Sequence, residues 1–198
     1  MALLVDKIIS ILFKYKIIHE ENEAWVRYGL YRRLSTLFVF IPFFLLAVVL
    51  TDVYCAFSFI CGFFFMRSKT NGYHAKSFIL CFTYSLLLEL IFLLLIYPLL
   101  TPVVCYIVSI LCALNIFFLA PFNHPNMNYS ATELRACRVQ ARIRVLLCQI
   151  TIIVAQMLRL ESVSKGLTLA IALVAFMLTI AYITTWRKNY ENKCRKNA

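Results

Sequence analysis

Between Leu34 and Met66 the chain carries no basic residue and a single acid, Asp52. A membrane crossing takes about 20 apolar residues, so this run is too long for one span. The segment "LTDVY" divides it into Leu34–Leu50 and Val53–Met66, two short helices with a tight turn between them. The second covers only about 21 Å at a helical rise, against a hydrocarbon core of roughly 30 Å. Two more pairs repeat the plan. Ser77–Tyr97 and Thr101–Ala120 turn through "PLLTP", where prolines punctuate the helix ends. Ile143–Leu160 and Gly166–Trp186 turn through "ESVSK". The expected fold is an all-α integral membrane protein with six transmembrane helices. Composition agrees: 63% of residues are hydrophobic and 15% charged, where soluble domains run at about half and about a quarter.

Charge placement tests the count. Lys and Arg number 6 before Leu34, 3 from Arg67 to Lys76, 4 from Arg135 to Arg144 and 5 after Trp186. Only Arg159 and Lys165 fall elsewhere, and the "LTDVY" and "PLLTP" turns hold none. The positive-inside rule then puts both termini and the two longer loops in the cytoplasm. Five spans would put the two basic loops on opposite sides. The net charge of +11 is therefore read as topology, and no nucleic-acid partner is expected.

The N-terminal segment lacks a long apolar stretch and a small-residue cleavage site, so no signal peptide is expected. Leu4, Ile8, Leu12 and Ile18 share a face with Ile9 and Phe13, while Asp6, Lys7, Ser10 and Lys14 lie elsewhere. That pattern predicts an amphipathic helix lying on the inner membrane surface. Residues 1–198 are read as one membrane domain: an interfacial segment 1–33, a six-span core 34–186 and a basic tail 187–198. Cys55, Cys61, Cys105, Cys112 and Cys148 fall inside spans as small apolar residues, and Cys137 and Cys194 on the reducing side. No zinc-ligand spacing is present, and neither metal nor cofactor is expected.

The chemistry concentrates in "RSKTNGYHAKSFILC", Arg67 to Cys81. A cysteine is a useful nucleophile as its thiolate, which an adjacent histidine can generate. On one continuous helix His74 and Cys81 would share a face but stand about 10 Å apart along the axis, whereas proton transfer needs roughly 3 Å. A catalytic pair therefore requires the helix to start near Ala75–Ser77, with the loop folding back over it. Gly72 gives the backbone freedom for that reversal. The helix dipole fades beyond the first turn, so the histidine is needed. By spacing alone, an ordinary loop histidine and an ordinary membrane-edge cysteine account for the pair as well.

The same stretch resembles the signature of the accessory gene regulator B (AgrB) family, membrane cysteine endopeptidases that mature quorum-sensing peptides in the bacterial cell membrane. The family pattern runs approximately R-x4-G-x-H-A-x5-C, and Arg67, Gly72, His74, Ala75 and Cys81 fall on it. A second stretch, "APFNHPNMNYS", is similar to the family's loop after the fourth span. Many members carry two glycines before the tyrosine; this chain has Asn71 at the first, a residue that tolerates left-handed conformations. The resemblance implies His74 and Cys81 as catalytic residues acting on an AgrD-type propeptide. Cys81 would expel the acidic C-terminal tail and hold the remainder as a thioester, which an internal cysteine or serine opens to a thiolactone or lactone. Shielding from water lets cyclisation compete with hydrolysis.

Other residues are candidates for substrate binding or support. Glu89 is an acid inside a span, two turns beyond Cys81 with Ser85 between them. Arg67 is placed either to bind carboxylate or simply to anchor the span. Arg135, Arg138 and Arg142 share one helical face, with Arg144 close behind; they suit an acidic propeptide tail, anionic lipid headgroups or topology alone. His124 is a lesser rival to His74 as base. A homodimer is expected, because a small apolar membrane protein needs packing partners. The alternatives to an enzyme are a small six-span peptide transporter or a non-catalytic scaffold. Tolerance of Cys81→Ser would favour the first; propeptide binding without turnover and indifference to His74→Ala would favour the second.

Overall fold

The computed structural model describes residues 2–15, 18, 22–70, 78–122 and 130–196, and at some of these, Cys81 included, the backbone alone. His74 and Gly72 of the motif, and the rival His124, lie outside the described residues. Among the described residues seven α-helices follow in order: α1 (Ala2–Lys14), α2 (Glu23–Leu50), α3 (Val53–Thr70), α4 (Phe78–Ile91), α5 (Pro102–Leu119), α6 (Ala131–Met157) and α7 (Glu161–Lys196). α4 runs on through a π-helical segment, Phe92–Ile96, and a 3-10 turn, Tyr97–Leu99. The fold is all-α and of membrane type. Four stretches are long and apolar enough to cross a membrane by length and composition: Phe82–Leu99, Pro102–Leu119, Ala131–Met157 and Glu161–Arg187. Leu37–Leu50 is a shorter apolar helix, and the last turn of α3 carries Arg67 and Lys69.

The chain forms two compact units, Met1–Leu45 and Leu46–Ala198. In the first, α1 is amphipathic as its sequence requires. Val5 and Ile9, one turn apart, are its buried residues, while Asp6, Lys7 and Ser10 are exposed. Asp6 also pairs with Arg27 of α2, which meets Glu23 at 2.9 Å. These exposed ion pairs stabilise little by themselves, and burial of the apolar stripe is the larger effect.

In the second unit α7 is the central helix. In the apolar 18-residue stretch of its span 72% of residues are buried, against 17% in Phe82–Leu99 and in Pro102–Leu119. It packs on α3, α5 and α6. The outward residues of α5, such as Ile107, Leu111, Leu114 and Phe118, are large, apolar and exposed, as lipid-facing positions must be. The α3–α7 contact depends on two glycines. A Cβ on Gly166 would run into Ser58 Oγ and the Cys55 carbonyl; one on Gly62 would lie 2.9 Å from Leu167 Cδ2 and 3.1 Å from Ala170 Cβ. Close backbone approach through small residues is how helices associate where no hydrophobic force separates them from lipid.

Short turns close one end of this unit. Asp52 caps α3 by accepting from Tyr54 N–H and Cys55 N–H, both at 3.0 Å. Partial burial raises the affinity of Asp52 for a proton, but the bonds from Cys55 N–H, the Ser162 hydroxyl and Tyr54 N–H outweigh it and hold the carboxyl below its ordinary value. α6 ends in a Schellman motif: Leu160 N–H bonds to Ala155 C=O at 2.7 Å and Arg159 N–H to Gln156 C=O at 3.0 Å.

Candidate active site

The opposite end of the second unit carries the motif segments. α3 delivers Arg67 and then Thr70, fully buried, immediately before the loop 71–77. α5 delivers Ala120–Phe122, also buried, immediately before the segment 123–129. These two departure points are joined directly: Phe122 N–H donates to Thr70 C=O at 3.1 Å. The stretches that contain His74 and His124 thus leave the described fold from bonded neighbours, although one lies between the third and fourth helices and the other between the fifth and sixth.

Donors from α6 and α7 hold this end together. Arg144 donates to Phe65 C=O at 2.5 Å and to Ser68 Oγ, with its guanidinium 4.7 Å from the Phe65 ring centre. Arg142 Nε donates to Phe117 C=O at 3.3 Å and lies 4.4 Å from that ring centre. Tyr182 OH donates to Leu119 C=O at 2.8 Å, and its ring meets Phe122 edge-on at 5.1 Å. Apart from Ser68 Oγ, each acceptor is a carbonyl in the last two turns of α3 or α5. Phe117 and Leu119 are among the last four carbonyls of α5, which have no intrahelical amide partner and carry the negative end of its dipole, so cations and hydroxyls suit them. Phe65 C=O also accepts from Ser68 Oγ at 3.0 Å within α3.

Of the three arginines grouped on one face of α6, Arg142 is half-buried against Phe117, whereas Arg135 and Arg138 are exposed. Arg67 is half-buried near the end of α3. α6 itself starts at a capping box in which Ser130 and Glu133 satisfy each other's groups. The backbone N–H and hydroxyl of Ser130 hold the Glu133 carboxyl below its ordinary value.

Cys81 is the fourth residue of α4, with Ser85 and Glu89 following at helical spacing. Leu80, Tyr84, Leu87 and Ile91 are the exposed apolar side of this helix. Ser85 is half-buried and Glu89 fully buried. Neither carboxylate oxygen of Glu89 has a hydrogen-bond partner among the described residues. The helical register changes just beyond, at the π-segment, and such segments concentrate at functional sites.

Sequence reasoning passed over the polar pairs that join α5, α6 and α7: Asn115–Thr179 at 3.2 Å, Gln149–Ser109 at 3.0 Å and Gln156–Ser164 at 2.9 Å. An amide inside an apolar span is expensive enough to have flagged all three. Thr70 and Phe122 gave no such signal, because their link is between backbone groups.

Among the described residues, an all-helical fold with long apolar helices, two of which end at bonded neighbours just before the motif segments, defines a polytopic membrane protein. A sequence model of the family described as accessory gene regulator B (AgrB) matches residues 5–180. The chain belongs to that family, which places it in the membrane-bound accessory gene regulator systems of quorum sensing. No curated protein and no solved structure matches it.

Proposed function

We propose that this chain is a membrane cysteine endopeptidase that removes the C-terminal tail of an AgrD-type propeptide and leaves the remainder ready to cyclise. Family membership over residues 5–180 carries the reading, and the spacing of Arg67, Gly72, His74 and Cys81 supports it. His74 takes the proton of the Cys81 thiol, and the thiolate attacks the scissile carbonyl carbon. Collapse of the tetrahedral intermediate breaks the C–N bond, and His74 returns the proton to the leaving amine. The peptide acyl group stays on Cys81 as a thioester. An internal thiol or hydroxyl of the peptide then attacks that carbonyl, closes the ring and frees Cys81.

The position of Cys81 near the start of α4 helps the thiolate, since the positive end of a helix dipole is strongest there. Among the described residues, exposed Arg135 and Arg138 are cations available to an acidic tail, whereas Arg142 serves the α5 terminus. Ser85 and Glu89 continue the Cys81 stripe into the membrane as a polar lining. In this reading both termini and both motif loops face the cytoplasm, six helices cross the bilayer, and the active unit is a homodimer.

The test is co-expression with the propeptide from a neighbouring reading frame, followed by intact mass spectrometry for the released tail and for a peptide adduct on the enzyme. Both signals vanish in Cys81→Ser and His74→Ala, each first checked for membrane insertion. Tail release that survives Cys81→Ser sinks the mechanism.

A further inference from the structure

The end of the second unit remote from the motif loops holds a feature that peptide cleavage leaves unused. A cavity of about 310 Å³ opens among Gln156, Arg159, Glu161, Ser164 and Lys165, where α6 passes into α7. A second, of about 360 Å³, shares Arg159 and Glu161. The first is at the small end of the range for ligand pockets and is suited to a headgroup-sized molecule.

Three observations concern its cations. Of 20 Lys and Arg in the chain, Arg159 and Lys165 are the two that belong to none of the basic clusters, and both line this cavity. Arg159 is the one non-glycine residue with positive φ among the described residues, at 59°. It sits at the position after a helix C-cap, where glycine avoids the strain that any Cβ introduces. Its side chain makes no hydrogen bond or ion pair among the described residues. A strained, unpaired arginine beside a cavity is a pattern expected of a ligand site. Lys165 is only loosely engaged, 3.9 Å from Glu161 and 5.8 Å from the Tyr97 ring centre.

We propose that this cavity binds a singly charged phosphodiester, the chemistry of an anionic phospholipid headgroup, through Arg159 and Lys165. Gln156 Nε2 is committed to Pro102 C=O at 3.1 Å and to Ser164 Oγ at 2.9 Å, but its Oε1 has no partner among the described residues. That oxygen is itself buried, so the headgroup is held by the two cations. Glu161 in the same wall opposes a second negative charge, which favours a diester over a free phosphate. The ends of the apolar helices lie at the depth where phosphodiesters are the abundant anions.

The experiment is native mass spectrometry of the delipidated full chain, titrated with phosphatidylglycerol, with phosphate-free dioleoylglycerol and with inorganic phosphate as competitor. Wild type holds one phosphatidylglycerol at least about tenfold more tightly than dioleoylglycerol, the size of one charge-assisted contact. Arg159→Gly, which relieves the strained backbone and so retains the fold, loses roughly that factor, and Lys165→Gln does the same. Glu161→Gln binds more tightly. Displacement by inorganic phosphate identifies a free-phosphate site; no displacement identifies the lipid. Equal binding of the two lipids, unchanged affinity in both cation variants, or an equal loss in Arg135→Gln at the other end overturns the proposal.

Discussion

Replacing Gly166 by alanine tests whether the α3–α7 contact holds the motif end in register. In a free helix the change is favourable by about 1 kcal/mol. Here the new Cβ meets Ser58 Oγ, the Cys55 carbonyl and, at 3.0 Å, Phe59 N. Ser58 can turn away only by giving up its 3.0 Å bond to Cys55 C=O, worth about 1 kcal/mol. The carbonyl and the amide belong to the backbone, so α3 itself must move; overpacking of this kind costs about 1–3 kcal/mol. The balance is a destabilisation of about 1–3 kcal/mol, or on the order of 2–12 °C in melting temperature for a chain of this size. At Gly62 the nearest atom is the end of the flexible Leu167 side chain, so Gly62→Ala should fall within about 1 kcal/mol of wild type. Adding Ser58→Ala to Gly166→Ala should recover only part of the loss, because the backbone contacts remain. Thermal unfolding in detergent, followed by circular dichroism, reads all four proteins. A Gly166→Ala protein as stable as wild type would refute the close approach of α3 and α7 at this contact.

Three further outcomes are expected. Arg144→Lys keeps the charge but loses the planar group that bonds Phe65 C=O and Ser68 through Nη1 while lying over the Phe65 ring; propeptide processing should fall roughly tenfold, the effect of about 1.4 kcal/mol of misplacement, while Arg135→Lys stays near wild type. Glu89→Leu removes a buried carboxyl group that lacks a partner among the described residues and should stabilise the protein by about 1–3 kcal/mol while lowering processing; a fall in stability would mean that the acid is satisfied. The Glu133 carboxyl is held below its ordinary value of 4.5 by Ser130. Its contribution is therefore present above the unfolded value and disappears as pH drops through the lower folded one. Helix content near the start of α6 should decline on acidification below about pH 4.5, and Ser130→Ala should flatten that dependence.

The fold was legible where polar residues interrupt apolar runs. Asp52 and the prolines of "PLLTP" each coincide with a turn between helices, whereas "ESVSK" forms the start of α7 and the turn falls just before it, at Leu158–Leu160. Helix lengths were not legible, since α2 begins at Glu23, α6 at Ala131 and α7 continues to Lys196. Arg, Glu, Lys and Gln are good helix formers, so a hydropathy boundary marks the edge of the apolar region and not the end of the helix. The π-segment after Ile91 was invisible because a reading by period assumes 3.6 residues per turn throughout. Around the site, the His74–Cys81 spacing is local and readable. The bonds from Arg144 to Phe65 and Ser68 bridge 79 and 76 positions, and no local pattern encodes a side chain that seeks a distant carbonyl.

Arg142 and Arg144 also show why basic loops resist a reading from charge alone. The same two residues satisfy a topological rule, by adding positive charge to one end of the helices, and a local one, by capping the C-terminal carbonyls of α5 and α3. The second role needs a planar guanidinium that bonds and stacks together; the first needs only charge. With Tyr182 on Leu119 and Phe122 on Thr70, four separate donors fix the last turns of the two helices that lead into the motif segments. A site assembled from loops gains accuracy only from the rigidity of its supports. Lysine substitution therefore separates the two roles: it leaves insertion and orientation intact, and any loss of processing that follows measures the support alone.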